Sequence, residues 1–535
     1  MKSTVNAALA LALAAALTGC AQPYVPENGT VPAGTDAVSG SAASAEASSE
    51  QTAASDPSAD NALNGNNHHK ITTGGEYTLK GDITKRVKID ANGGDVHIIL
   101  DNVVISTKNE PAIYVKSAGT VRITLADGTS NSLSVVTDDT VDASDAKVSS
   151  AIYSKSDIII DGGGTLSVSS YTGNGIRTKG AFTSENAAVT IACKNNGISA
   201  DGSISFDGGR YDITADGNDG KAIKSDADIT INADCTLKSG KDSLNAGGSI
   251  VIGSGDISIS SGDDAFHADD SVTVKGGNIG IIKCCEGIEA QYITIDGGKL
   301  DIVSTDDGIN ATDPNGTDEK MRAQECSITV NGGEIHLNAD GDGFDTNGTL
   351  VINGGTVTVD GPQMNDNAAL DATGGYYVNG GTVIAVGSAG MSELPEEGEQ
   401  NTITVYGSIS AGSEFVLKSS DGTDVVTYIP LKDGQAAFIS SPDIVTDTEY
   451  TVYSGNSELG SVNAGKIAVI GKGGFGGNFP PFGGGKKPGF SDGEMPGFPD
   501  GEIQGSPDGE FPTPPDGDMP PLPNGGTADP SDDSE

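Results

Sequence analysis

The stretch "SITVNGGEIHLNADGDG", residues 327–343, decides the fold. Polar and apolar residues alternate from Ser327 to Val330, two glycines follow, and alternation resumes from Glu334 to Leu337. A period of two sends successive side chains to opposite faces of a strand, so the segment predicts strand, turn, strand. It runs into Gly343-Phe344, one copy of a signature made of a small, an apolar, any, and a small residue. The signature recurs at Ala151-Ile152, Gly175-Ile176, Gly197-Ile198, Ala222-Ile223, Ser243-Leu244, Ala265-Phe266, Gly287-Ile288, Gly308-Ile309 and Ala369-Leu370, mostly at spacings of about 21–26 residues. A fixed period in this range marks a solenoid. The leucine-rich-repeat frame is absent, and the nonapeptide calcium β-roll has a far shorter period. One repeat holds three short strands and three turns. The predicted fold is all-β: a parallel β-helix with three strands per coil, and a small β-rich segment after it. Ile250, Ile252, Ile257 and Ile259 would line the bore of one coil, and Ile293, Ile295, Leu300 and Ile302 the bore two coils on. Each coil covers the next, so none could stand alone.

Outward from the repeat, the ends differ in kind. "MKSTVNAALALALAAALTGC" (1–20) has Lys2, an apolar run over 7–17, and "LTGC", which matches the bacterial lipobox. It resembles a lipoprotein signal peptide, which implies cleavage before Cys20, lipidation of that thiol and anchoring to the outer face of the bacterial cell membrane. The apolar run is too short for a good membrane span. The expected organisation is therefore a signal peptide over 1–19 and a Ser/Ala-rich flexible tether over 20–67. The β-helix follows over 68–399, the closing segment over 400–471, and a Gly/Pro/Asp-rich disordered tail with a recurring Pro-Asp-Gly unit over 472–535.

The chain has 30 Lys and Arg against 75 Asp and Glu, a formal net charge of -45. A chain this acidic has no basic face for nucleic acid or anionic lipid. It suits divalent cations, which prefer oxygen ligands. Five cysteines besides Cys20 (Cys193, Cys235, Cys284, Cys285 and Cys326) leave an odd number, and their spacing fits no zinc pattern. Cys235 aligns with Ile257 and Ile279 and reads as core filler. Residues 129–150 and 313–326 lengthen two coils, as insertions that form loops or binding walls do.

The acids recur in register. The residue before the signature is Asn174, Asn196, Lys221, Asp242, Asp264, Glu286, Asp307 and Asp342 in successive coils. The residue just inside it is Asn245, His267, Glu289, Asn310, Asp345 and Asp371. Asp263, Asp269, Asp270, Asp306, Asp313 and Asp366 flank these two series. Coils stack ~4.8 Å apart, the spacing of neighbouring strands. Two carboxylates at that separation repel by ~3 kcal/mol at an effective dielectric of about 20. A row of them needs protons or a cation, and Ca2+, with oxygen ligands at ~2.3–2.6 Å, could reach two coils at once. Asp-Asp-Gly is also a plain turn former, so part of the series could do no more than end strands.

The ordered set "ITTGGEYTLKGDI" (71–83), the "DDGI" coils, "NGGTVIAVGSAGM" (379–391) and "SSPDIVTDTEYTVYSG" (440–455) resembles the calcium-binding, β-helical carbohydrate-binding proteins of clostridial-type bacteria. These are binders of cellulose and acidic sugars and are similar in structure to polysaccharide lyases. The resemblance covers about residues 68–470 and implies a right-handed parallel β-helix with a small C-terminal β-rich closing segment, bound calcium and extracellular glycan binding; the chain is expected to be a monomer. The chain departs from a cellulose-gripping surface in having no Trp, although Tyr and Phe can stack on sugars. A non-catalytic, calcium-dependent binder of plant-type or uronate-containing polysaccharide is the first expectation. A pectate-type lyase is the alternative, with Lys221, Lys224 or Lys283 as candidate base beside the metal. A cell-surface adhesin is the third.

Overall fold

The computed structural model describes residues 62–65, 69–138, 149–313 and 323–472. Cys20, nearly all of the tether and of the tail, and residues 139–148 and 314–322 of the two coil-lengthening segments lie outside the described residues; at the end of the tether Ala62–Leu63 is a strand paired in parallel with Thr78 and Leu79. The described residues fall within one compact unit, Met1–Gly476.

The architecture is a parallel β-helix of about 13 turns, as the repeat predicts. The signature residues form one column paired strand to strand without a slip. It runs from His69 and Val87 through Ile113, Ile152, Ile176, Ile198, Ile223, Leu244, Phe266, Ile288, Ile309 and Phe344 to Leu370. Nearly all of these side chains point into the bore and are fully buried, where each aliphatic one contributes about 1.5–3 kcal/mol from apolar burial. The remaining strands add further inward stacks, such as Cys235 on Ile257 on Ile279. Cys193, Cys235, Cys284 and Cys326 are buried free thiols.

Two kinds of glycine hold this geometry. Gly333, second of the "GG" pair in the opening stretch, has φ 96°, a turn conformation that a side chain would strain. Gly343 sits in the signature because a Cβ there would collide with Val359 Cγ1 and the Ala369 carbonyl of the coils it packs on. The "GG" turns do not always break a strand: Ile204–Ala215 runs continuously through Gly208 and Gly209.

At the C-terminal end the pattern changes. Thr382–Gly387 pairs in parallel with Thr356–Asp360 on one side and antiparallel with Gly434–Ser440 on the other. Beyond it a four-stranded antiparallel sheet (Asp424–Tyr428, Phe415–Ser419, Glu449–Ser454, Ser457–Asn463) encloses a second core around Ile403, Phe415, Leu417, Ile439 and Val452. Tyr376 of the last coil meets Phe438 edge-on, 5.4 Å between ring centroids.

Candidate cation edge

The residue just inside the signature also forms a true column. Lys224, Asn245, His267, Glu289, Asn310, Asp345 and Asp371 follow one another in strand register. The residues before the signature stack through their carbonyls. Ser243 N–H donates to Asp264, Ala265 N–H to Glu286, Gly287 N–H to Asp307 and Gly308 N–H to Asp342, all at 2.8–3.1 Å. Their side chains bond across coils as well. Asn174 Oδ1 accepts from Asn196 N–H (3.1 Å), Asp264 Oδ1 from Glu286 N–H (3.3 Å), Asp307 Oδ1 from Asp342 N–H (2.6 Å) and Asp342 Oδ1 from Ala368 N–H (2.5 Å). The acids are thus turn caps. Each bond uses one carboxylate oxygen and leaves the other for a second partner.

What that second partner is divides the edge into three zones. In the first, lysines serve: Lys221 pairs with Asp242 and Lys241 with Asp263. Asp242 is 3% exposed, and its Oδ2 also accepts from Asn245 at 3.0 Å. In the second, His267 stands between two acids, with Nδ1 2.5 Å from Glu289 Oε2 and 3.5 Å from Asp264 Oδ2. Those two hydrogen bonds raise the imidazole to about 10, so it is cationic at neutral pH. The same contact lowers Glu289, while burial pushes Asp264 up. Asp269 lies 3.7 Å from His267 Nε2.

The third zone has no counter-charge among the described residues. Oxygen atoms of Asp342, Asp345 and Asp371 lie within 4.8 Å of one another, and among the described residues no Lys, Arg or His pairs with any of them or with Asp307. Burial first, and the neighbouring acids second, raise Asp342 to about 8 and Asp345 to about 7. Burial raises Asp307 to about 6, with Asp306 and Asp371 adding to the effect. Glu286, one coil further, is lifted to about 8 by burial and by Glu289 and Asp264.

Two observations test whether a hard cation fits here. Asn310, between Glu289 and Asp345 in the column, donates to Glu286 Oε2 at 3.1 Å, yet its own Oδ1 is buried with no partner. A Cβ at Gly341 would collide with the Oδ1 atoms of Asp307 and Asp306, so glycine there leaves a cradle between carboxylates. An all-oxygen donor set of carboxylates and an amide carbonyl suits Ca2+. Calcium therefore fits the third zone, whereas the second already carries its own cation.

Of the other acids of the sequence series, Asp306 borders the Gly341 cradle beside Asp307. Asp270 is exposed and accepts from Ser249 Oγ at 2.8 Å. Asp306 and Asp366 are exposed, and Asp313 is partly buried two positions beyond Ile309–Ala311. Of the candidate bases, Lys224 pairs with Asp226 at 2.8 Å, and Lys283 is exposed at the end of a different strand, Asn278–Cys284.

Sequence reasoning missed one constellation. His336 bonds Asp301 through Nδ1 (2.9 Å) and Asp360 through Nε2 (3.1 Å). Asp360, 1% exposed, also accepts from Tyr428 Oη (2.7 Å) and Leu431 N–H (2.8 Å) of the closing unit. The coil alignment "GGKLDIVS" over "GGEIHLNA" places Asp301 beside His336 and was the available signal.

The model of the carbohydrate-binding domain-containing protein family matches residues 65–318. A carbohydrate-binding domain-containing protein of Acetivibrio thermocellus is 35% identical over 128 residues, 23% of this chain and 44% of the relative. The match thus spans less than half of that relative's length. The solved structure of a polysaccharide lyase-like protein from C. thermocellum, a gadolinium derivative, aligns at 24% identity over 53% of this chain and 86% of its own, with a TM-score of 0.25. Over residues 65–318, a span that takes in the His267 zone and the coil of Ile309 and stops short of Asp342, the chain is similar to carbohydrate-binding domain-containing proteins.

Proposed function

We propose that the protein is a calcium-dependent glycan-binding protein, held by a lipid on Cys20 at the outer face of the cell membrane. The observation that carries the reading is the Asp342–Asp345–Asp371 cluster, three carboxylates in hydrogen-bonded register with no cationic side chain among the described residues to balance them. A bound Ca2+ would supply positive charge to the third zone of a chain whose net charge is -45, and so a bridge to the carboxylates of a uronate-containing polysaccharide. The similarity to carbohydrate-binding domain-containing proteins supports the glycan half of this reading. Binding is favoured over lyase chemistry because Lys221 and Lys224, two of the bases a lyase would need, are occupied by Asp242 and Asp226.

The test is titration calorimetry with calcium, followed by binding to polygalacturonate, on the parent and the Asp345→Asn/Asp371→Asn variant. The parent should bind calcium and, with it, the polymer; the variant should lose at least tenfold in calcium affinity and bind the polymer weakly. An unchanged calcium isotherm would refute the assignment. Growth of unsaturated-uronide absorbance during incubation would replace the binder reading by the lyase one.

A further inference from the structure

A second face of the β-helix carries a groove with a cavity of about 360 Å³. Its floor is the outward column Thr236, Ser258 and Gly280, in register on three consecutive coils. Its rim is the column Arg210, Asp234, Asp256, Asn278 and Lys299, one outward position earlier along the same strands. From Arg210 to Lys299 is four coil steps, ~19 Å at strand spacing.

Gly280 is the informative residue. Most glycines of the coils are explained by a positive φ or by a Cβ that would strike a neighbouring coil; Gly280 has neither reason. Its φ lies outside the left-handed region, and a Cβ there would meet nothing closer than the Ile257 carbonyl oxygen at 4.0 Å. Glycine inside a strand costs stability and marks a bulge, a bend or a place where a ligand comes close to the backbone. The register slip in this strand falls after Ile281 and does not include Gly280. Fold alone therefore gives no account of the missing side chain, and an approaching ligand does.

The lining says what kind of ligand. Donors stand at the two ends of the rim (Arg210 at one, Asn278 and Lys299 at the other) with two acceptors between them (Asp234, Asp256), and hydroxyls line the floor. Arg210 has no ion pair among the described residues. Three aspartates, with Asp301 at the far end, disfavour a polyanion. Hydroxyl groups both donate and accept, so this pattern matches a chain of sugar hydroxyls without charge. Further along the strands the next outward residues on two coils, Ile282 and Val303, are exposed apolar side chains that continue the floor.

We propose that this groove is a subsite for a neutral oligosaccharide, separate from the carboxylate edge. The inference rests on the glycan-binding reading above. Its test uses the full chain and four probes: cellohexaose, xylohexaose, mannohexaose and hexagalacturonate with calcium. The variant is Gly280→Ile, a β-branched residue on an open strand position, whose melting temperature should hold or rise. The expected result is binding of at least one neutral hexasaccharide by the parent, a loss of tenfold or more in Gly280→Ile, and unchanged hexagalacturonate binding. Asp256→Ala should weaken the same neutral ligand several-fold. Neutral binding that survives Gly280→Ile, or a parent that binds only hexagalacturonate, overturns the groove and leaves the general reading intact. A parent that binds none of the four overturns both.

Discussion

Two carboxylate clusters lie on one edge of the same β-helix, three coils apart, and are balanced in opposite ways. Around Asp264 and Glu289 the column position is His267, and the chain supplies its own cation. Around Asp342 and Asp371 the equivalent position is Asp345, and no described side chain balances the charge. Backbone register brings the acids together in both places. One residue type at one column position then decides whether the edge is self-neutralised or must take protons or a metal.

The comparison is broken most forcefully by pH in the absence of metal. Asp342, Asp345 and Asp307 titrate higher in the folded chain than their ordinary value near 3.8. The folded state therefore holds more protons than the unfolded one between pH 4 and 8, so the stability these groups give is complete below pH 4 and lost as pH rises toward 8. In chelator, unfolding free energy should fall across that window by on the order of 4 kcal/mol, and calcium at pH 8 should restore much of it. His267 has the same sign in a later window. Its raised value means its contribution is complete below pH 6.5 and survives until pH approaches 10. Denaturant melts at pH 5 and 8, with and without calcium, check this. A metal-free chain equally stable at both would show that the third zone is not strained by charge.

A smaller effect comes from His267→Asn. It leaves Asp264 and Glu289 facing each other without a cation and should cost on the order of 2 kcal/mol in chelator. If the two zones differ only in their counter-charge, the variant should gain one calcium per chain by calorimetry. An unchanged stoichiometry would mean that the second zone lacks the geometry of the third. The smallest effect is expected from Lys224→Ala. The Lys224–Asp226 pair is exposed, so stability should shift by less than about 0.5 kcal/mol. Glycan binding should hold. A selective loss of uronide release would instead revive Lys224 as a base.

Much of this was legible in the sequence, for a physical reason. A solenoid repeats one local environment, so the alignment of signatures, Ile288 on Ile309 on Phe344, is already a list of spatial neighbours. The same alignment set Asp345 beside Asp371. It could not tell which oxygen each acid spends on a backbone N–H, nor that Lys241 reaches Asp263 across a turn. Those depend on side-chain rotamers, which carry no period. The Tyr428–Asp360–His336 contact was hidden for another reason: Tyr428 belongs to the closing unit, outside the repeat, where no alignment applies. Gly280 was hidden among 77 glycines until the space around it could be seen.

The antiparallel strand Gly434–Ser440 against Thr382–Gly387 has a consequence for how such molecules live together. A parallel β-helix is in principle extensible: the exposed edge of its final coil is a template for one more strand, from the same chain or from a neighbour's. Reversing the strand direction at that edge fills its hydrogen bonds with a partner in the wrong orientation for another parallel rung. The two strands that flank Gly434–Ser440 are both its own chain's, Thr382–Gly387 and Thr402–Ile409. The cap thus acts as a chain terminator for fibril growth at this edge, which matters for a protein proposed to be held at a cell surface.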